Sequence, residues 1–570
     1  MSSFSVYDLK SVKLPRLAGG VLNLIVNLVE NPLTRGLILG NLLQNGGIID
    51  FGKLEVLTAP TFQPNPPRHF QQDDQDSESL DVLQTIQDQY PFPNQQAGFK
   101  FNTIQDYAHA YREGRTTPVQ VAEAALAAIA DSEQHNPALH VFIAMKADDV
   151  LEQAQAATQR IQQGTSLGIL DGVPVAIKDE LDMIPFPTTI GTRFLGHSPV
   201  AADATVVARL RAAGALLLGK TNMHEIGIGV TGHNTHYGTV RNPYNPGHHT
   251  GGSSSGPAAA VAAGFCPLAV GADGGGSIRI PSGFCGVVGL KPTFSRISEH
   301  GAASLTWSMG HLGPIAATPH DAAVGYAIMA GADPHDLNTL NQPPISLRDL
   351  HRLELSDLTL GVYWPWFRHA DAQVVYACEE MLDRLEKLGA SIREVELPEL
   401  EAARLAHVIT IGSEIAAALE PYYATHHKDY SLEVRINLAL ARSLTSRDYL
   451  KAQQVRTRTI AYFETALSQV HAILTPATAV TAPPINLAAQ PDGESDLTVL
   501  TEIMRYATPP NLTGYPAISF PAGYDQAGLP IGMQAIAGYW QEHLLLRLAH
   551  AAQQELERKA PAVHYHLFAD

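Results

Sequence analysis

Ser277 stands directly after three glycines, Gly274, Gly275 and Gly276, in the stretch PLAVGADGGGS. Consecutive glycines let successive N–H groups turn toward one point, which makes an anion-binding nest beside the serine hydroxyl. Donors held in advance are what a developing acyl-transfer oxyanion requires, and removing one costs about 3–4 kcal/mol in enzymes that use them. Upstream, Ser253, Ser254 and Ser255 lie between glycines in GGSSSGP. Pro257 is placed to begin a helix over PAAAVAA and Gly264 to end it, so helix capping explains Ser255 and competes with a chemical role for Ser254. A serine nucleophile needs a base. No histidine partner stands out near these serines, and lysine can serve instead. Lys178 ends the apolar run VPVAIK, which would carry its amine to the carboxyl edge of a sheet, where open α/β sheets hold their ligands. To act near neutrality its pKa must fall roughly 3 units from about 10.4, which burial without a countercharge can supply. Asp179 and Glu180 follow and suggest a plain salt-bridge lysine, although alternation along a strand sends Asp179 to the opposite face.

Three other patterns match known motifs in letters but not in context. GALLLGKT, residues 214–221, fits the phosphate-loop spacing, yet Ala215, Leu216, Leu217 and Leu218 occupy what must be an open loop and look like a buried strand. GIGVTG, residues 227–232, fits G-x-G-x-x-G but follows polar residues, with no βαβ unit around it. GSSSG, residues 252–256, would make Ser254 a nucleophile, but a nucleophile elbow needs a strand running into it, and RNPYNPGHHTG is loop. His224 lacks the second histidine of a zinc-binding H-E-x-x-H, because Ile228 stands there.

The elements that must position these residues are legible in outline. Short apolar runs such as VPVAIK, ALLLG, PLAVGA, LTLGVY and AILTP alternate with Ala-rich helical stretches, which predicts an α/β sheet covered by helices on both faces. Thr117 as N-cap and Pro118 at the first helical position predict a helix over PVQVAEAALAAIA, so the main domain opens near residue 100 and runs to 570. Residues 61–99 are rich in Pro, Gln and Asp and read as a polar linker or wrapping arm. Residues 1–60 form a helical extension. Within it Lys10, Lys13 and Arg16 precede the apolar run of residues 17–29. Asn23 and Asn27 interrupt that run, no cleavage motif follows, and it is shorter than the ~20 residues of a membrane span. It reads as an amphipathic helix docked on the protein itself or on a second copy of the chain, which leaves a homodimer open, with membrane-surface contact as the less favoured option. Pro32 and Gly36 are expected to separate it from LILGNLL.

A chain of 570 residues, 45% hydrophobic and 16% charged, can bury a large core. Its formal charge of −18 disfavours nucleic acid as a partner, since phosphate binding relies on clustered Lys and Arg. Cys266, Cys285 and Cys378 form no C-x-x-C pair, which argues against a disulfide framework or a cysteine-built zinc site and fits a reducing cytoplasm.

The segments VAIKDE, GKTNMHEIGIG, GGSSSG, GGSIR and FCGVVGLKPT, with PPNLTGYPAISFPAG and GLPIGMQAIAGYWQEHLLL near the C-terminus, resemble the amidase signature family over roughly residues 100–555. The resemblance implies that family's fold, a large twisted mixed β-sheet covered by helices. It implies a Ser-cisSer-Lys triad in which Ser277 attacks the amide carbonyl, Ser253 follows a cis peptide and relays the proton, and Lys178 is the neutral base. The amides of Gly274, Gly275, Gly276 and Ser277 would form the oxyanion hole, and Arg279 would brace the loop. No metal or organic cofactor is implied. The substrate would be a small-molecule amide. Trp307 and Met309, in SLTWSMGHLGP, stand where members line an acyl pocket, which points to an apolar, aromatic or fatty acyl group; ordinary core packing explains them equally well. The competing enzyme role is the glutaminase component of a glutamyl-tRNA amidotransferase, and a catalytically silent binding or scaffold protein is the reading from another class. Gly274, Ser295 and Pro257 depart from the residues usual at their positions.

Overall fold

The structure is a computed structural model that describes residues 7–12, 15–67 and 98–568. Eleven strands form one sheet: β1 (Phe142–Ala144), β2 (Pro174–Lys178), β3 (Leu216–Thr221), β4 (Leu268–Ala272), β5 (Val288–Lys291), β6 (Leu312–Ala316), β7 (Thr359–Val362), β8 (Ser391–Glu394), β9 (Ala472–Pro476), β10 (Ala517–Tyr524) and β11 (Pro530–Ala537). Their spatial order is β8-β7-β9-β11-β10-β5-β6-β4-β2-β3-β1. The sheet is mixed. β2 pairs in parallel with β3 on one side and β4 on the other, and β7 pairs in parallel with β8 and β9. The other ladders are antiparallel. Every residue of β2, β3, β4, β6, β9 and β11 is buried, as a strand covered on both faces must be, and this is why β2, β3, β4 and β9 show as apolar runs in the sequence instead of alternation. The helices Ser255–Ala262, Pro319–Met329, Ala372–Lys387 and Glu542–Gln554 pack on this sheet.

Parallel pairing decides where the chemistry sits. Ile177 of β2 lies opposite Val270 of β4, so both strands end at the same edge. Lys178 closes β2 there, and the loop from Asp273 to Ser277 leaves β4 beside it. Residues 216–221 of the segment 214–221 are β3, fully buried, which removes any phosphate cradle: Lys220 Nζ donates to the Leu181 carbonyl at 2.5 Å and meets Asp179 at 3.1 Å.

The extension docks on the protein itself. Helix Gly19–Glu30 turns Leu22, Val26 and Val29, spaced as one helical stripe, against Ile436 and Ala439 of helix Leu432–Ala441. Burying each such side chain contributes about 1.5–3 kcal/mol. Arg435 grips both oxygens of Glu30 at 2.9 and 2.6 Å. Val21 and Leu24 on the same helix, and Leu33 and Leu37 after it, stay exposed. The break falls at residues 31–34 and contains Pro32 as expected, whereas Gly36, expected to be part of the break, lies inside the next helix, Arg35–Asn45. No single helix among the described residues is long and apolar enough to cross a membrane.

Of the polar arm expected over 61–99, residues 68–97 lie outside the described residues, as does Lys13. Residues 58–67 lie along helix Ser446–Leu467 and over the edge that carries the site. Thr61 N–H donates to the Gln453 carbonyl, Arg456 donates to the Phe62 carbonyl at 2.6 Å, and Gln63 donates to the Trp307 carbonyl at 3.2 Å.

Candidate active site

Lys178 is fully buried, and its Nζ has three partners: Ser253 Oγ at 2.9 Å, the Ala272 carbonyl at 3.3 Å and Glu180 Oε2 at 2.7 Å. A countercharge, which the expectation of a depressed amine did without, is therefore present. Glu180 lies two residues on and turns back to the amine, while Asp179 faces away and takes the N–H of Gly191, the Thr189 hydroxyl and Lys220.

Ser253 is delivered by a cis peptide between Gly252 and Ser253. Its carbonyl accepts the His224 N–H at 3.1 Å, and the next amide, Ser254 N–H, donates to the Ser277 carbonyl at 3.2 Å. That bond brings Ser277 alongside Ser253. Ser254 is no cap: its hydroxyl donates to the Ala272 carbonyl at 3.1 Å and accepts the Ala272 N–H at 3.3 Å, tying the serine loop to the end of β4. Ser255 is no cap either. It is the first residue of its helix, and its buried hydroxyl has no hydrogen-bond partner among the described residues. The glycines of 227–232 crowd this loop: a Cβ on Gly232 would come within 2.8 Å of the Gly251 carbonyl and of Ser255 Cβ, so close approach of backbones accounts for that glycine.

The loop after β4 is held by its first residue. Asp273 accepts the N–H of Gly276 at 2.6 Å and of Ile278 at 3.0 Å, and pairs with Arg279 through both oxygens. Burial alone would raise this carboxyl, but Arg279, Lys291 and the Ile278 N–H hold it below the ordinary carboxylate range. Arg279 is buried and also reaches Gln534 and Asn511, each at 2.5 Å, so it braces the loop. The consequence corrects one expectation: the Gly276 N–H is spent on Asp273 and does not belong to an oxyanion hole. Among the described residues the N–H groups of Gly274, Gly275 and Ser277 donate to no protein acceptor. Gly276 instead supplies φ +112°, a conformation that favours glycine.

His407, from helix Leu400–Ala418, is a site residue that the sequence does not single out. Its Nε2–H donates to the Gly274 carbonyl at 2.9 Å. Burial pushes its pKa down to about 4, against the upward pull of that bond, so the ring is neutral at pH 7. The Gly274 carbonyl and the Gly275 N–H belong to one planar trans peptide and point in opposite directions. Pinning the carbonyl outward on His407 therefore aims the Gly275 N–H the other way. A side chain at Gly275 would strike the His407 ring at 2.8 Å. At Gly274 a Cβ would meet Thr306 Oγ1 at 3.3 Å, a tight contact that requires that side chain to shift slightly, and Ile411 at 3.5 Å.

A cavity adjoins this loop, walled by Ala272, Gly274, Leu305, Trp307 and Leu312 with Glu180 and Glu299 among its polar groups. Trp307 is 47% exposed and lines it. Met309 does not: its side chain is fully buried in a core cluster with Phe51, Leu405 and Leu512, so core packing is the correct account of that residue. Ser295 has φ +67°, a left-handed conformation that explains why glycine is common in its place. His224 faces Glu433 at 3.4 Å, and the three cysteines are buried and free.

The same residues carry the likeness to known proteins. A model of the Amidase family matches residues 123–546. Fatty acid amide hydrolase of Oryza sativa subsp. indica is 39% identical across 98% of this chain and 96% of its own length. The A-type component of the glutamyl-tRNA(Gln) amidotransferase of a Cyanothece species is 36% identical across 74% of this chain and 92% of its own. In three dimensions, native peptide amidase of Stenotrophomonas maltophilia superposes with a TM-score of 0.70 at 28% identity, over 80% of this chain and 98% of that one. Matches of that breadth, running through the strand of Lys178, the serine loop and the glycine loop alike, make this chain a member of the Amidase family and an amide hydrolase.

Proposed function

We propose that the protein hydrolyses amides of apolar, long-chain acyl groups through an acyl-serine intermediate, with Ser277 as nucleophile, Ser253 as proton relay and Lys178 as base. The observation that carries this reading is the 2.9 Å bond between Lys178 Nζ and Ser253 Oγ at the foot of a loop whose Gly274, Gly275 and Ser277 amides have no protein acceptor among the described residues. Ser277 Oγ attacks the amide carbon. Its proton passes to Ser253 Oγ as the Ser253 proton passes to Lys178 Nζ, and the free amides receive the oxyanion. Collapse of the tetrahedral intermediate breaks the C–N bond, and the relay returns the proton to the leaving amine. Water then attacks the acyl-serine by the same route, which restores Ser277.

Two observations support the choice of acyl group. The rice fatty acid amide hydrolase aligns over 98% of this chain, including the extension, whereas the amidotransferase component aligns over 74%. The cavity beside the glycine loop presents Leu305, Trp307 and Leu312, a wall suited to an alkyl or aryl chain. The glutaminase role is the second reading, favoured only by the shared catalytic body.

The test is turnover of a panel of amides by the purified protein, from acetamide and glutamine to long-chain fatty amides, together with labelling by a fluorophosphonate. Wild type is expected to prefer long acyl chains and to be labelled. Ser277→Ala should lose labelling and lose turnover by about 10⁶-fold, as removal of a serine nucleophile does elsewhere. Undiminished turnover in Ser277→Ala would overturn the assignment, and glutamine as the preferred substrate would move the protein to the second reading.

A further inference from the structure

The relay ends at an amine with one more partner than a base needs. We propose that Glu180 is a positioning residue: it holds Lys178 so that the amine lone pair points at Ser253, and its charge sets the pH at which Lys178 gives up its proton. The inference rests on Lys178 being the base.

An ammonium has three N–H groups; Lys178 Nζ donates to Ser253 Oγ at 2.9 Å and to the Ala272 carbonyl at 3.3 Å, and forms an ion pair with Glu180 Oε2 at 2.7 Å. A neutral amine has two N–H groups and one lone pair. Neither the Ala272 carbonyl nor the Glu180 carboxylate carries a proton to give, so they keep the two N–H groups. The lone pair is left facing Ser253 Oγ, which does carry one. Without Glu180, one N–H has no fixed acceptor, and the amine is free to turn a hydrogen toward Ser253. The proton balance is closed. The neutral amine accepts one proton from Ser253 during attack, and that proton returns to the leaving amine.

The surroundings determine how strongly Glu180 acts. It lines the cavity beside the glycine loop together with Glu299. Glu299 is pushed up to about 8 by burial, with Asp336, Glu180 and Glu414 adding to the shift. The other charged groups around the amine are spoken for: Asp273 is paired with Arg279, and Asp179 with Lys220 on the far side of the strand. Glu180 is thus the carboxylate in contact with Lys178. An opposite charge in contact with an amine favours its protonated form.

The experiment is the pH profile of kcat/KM on a fatty acyl p-nitroanilide for wild type, Glu180→Gln, Glu180→Asp and Ser277→Ala. Glu180→Gln should move the acidic limb to lower pH by about one unit or more, because the amine loses its proton more readily once the countercharge is gone. At the plateau kcat should fall about tenfold with KM unchanged, the sign of an interaction that matters after substrate is bound. Glu180→Asp, which keeps the charge, should return the limb toward its wild-type position. A limb that stays in place in Glu180→Gln overturns the proposal, whatever happens to the rate, since a merely structural glutamate would lower activity without moving it. If the glutamine variant does not fold, Glu180→Ser removes the same charge from a smaller side chain and is read by the same two outcomes. Ser277→Ala keeps the two questions apart: full turnover there sinks the triad itself, while lost turnover with an unmoved limb in Glu180→Gln sinks only the role of Glu180.

Discussion

The two sides of the reaction centre are built in opposite ways. The proposed relay side is made of side chains from separate elements: Lys178 at the end of β2, Glu180 just past it and Ser253 ahead of helix Ser255–Ala262. The proposed oxyanion side is one contiguous segment, residues 274–277, whose oxyanion donors are backbone N–H groups. The difference teaches where each half is vulnerable. A single substitution removes a member of the relay, but only proline deletes a backbone N–H, and it also constrains the loop, so the glycine loop is best probed through the residues that hold it: Asp273, Arg279 and His407.

That contrast can be broken at three points. Lys178→Ala should have the largest effect, lowering kcat by about 10⁴-fold, the upper range for loss of a general base, with KM little changed. Steady-state kinetics on the fatty amide measures it, and a loss under tenfold would mean that the relay side is dispensable. Asp273→Asn should come next, and its effect should appear in the fold. Removing one partner of a buried ion pair costs about 3–5 kcal/mol, read as a lower midpoint in chemical denaturation, and the freed Gly276 N–H should loosen the loop. The pH dependence has a definite sign. The Asp273 carboxyl lies below its ordinary value near 3.8 in the folded state, so its contribution is complete above that pH and is lost only as strong acid protonates it. Asp273→Asn should therefore be destabilised across neutral pH and approach wild type only in strong acid. The smallest effect should be His407→Ala, which leaves every amide in place but releases the Gly274 carbonyl. A fall in kcat of about 10²-fold is expected, the value of one oxyanion donor, with KM nearly unchanged. His407→Gln, which restores an N–H donor, should recover part of it. An unaltered kcat in His407→Ala would show that the backbone half holds itself.

Much of this centre is legible without coordinates. Five of the eleven strands, β2, β3, β4, β7 and β9, announce themselves as apolar runs, because strands buried on both faces need apolar residues at every position. β10 and β11 do not read as strands in isolation, since PAISFPAGY and PIGMQAIA are interrupted by proline and glycine. The three residues of the proposed triad, Lys178, Ser253 and Ser277, emerge together only through whole motifs, since nothing in the spacing of Lys178 and Ser253 says that they meet. Gly276 reads as an oxyanion donor in sequence and is none in space, because a run of glycines shows that amides can converge but not which of them is already taken. A signal for its true partner is present: an acid, Asp273, just before the glycines and a base, Arg279, just after them. For His407 there is none, because it belongs to a helix remote in the chain and bonds to a carbonyl, a group every residue has.

Sequence alone settled that there is a serine after a glycine nest, a lysine at the end of an apolar strand and a paired-serine loop, because residue type and local spacing specify hydroxyls, an amine and permissive backbone. Only the tertiary structure decided which N–H groups stay open, which carboxylate reaches the amine and which serine is merely structural. Those are questions of hydrogen-bond partnership, and a donor's partner is fixed by the direction of its peptide plane or side chain in space, which parallel pairing of β2 and β4 and the packing of a distant helix determine.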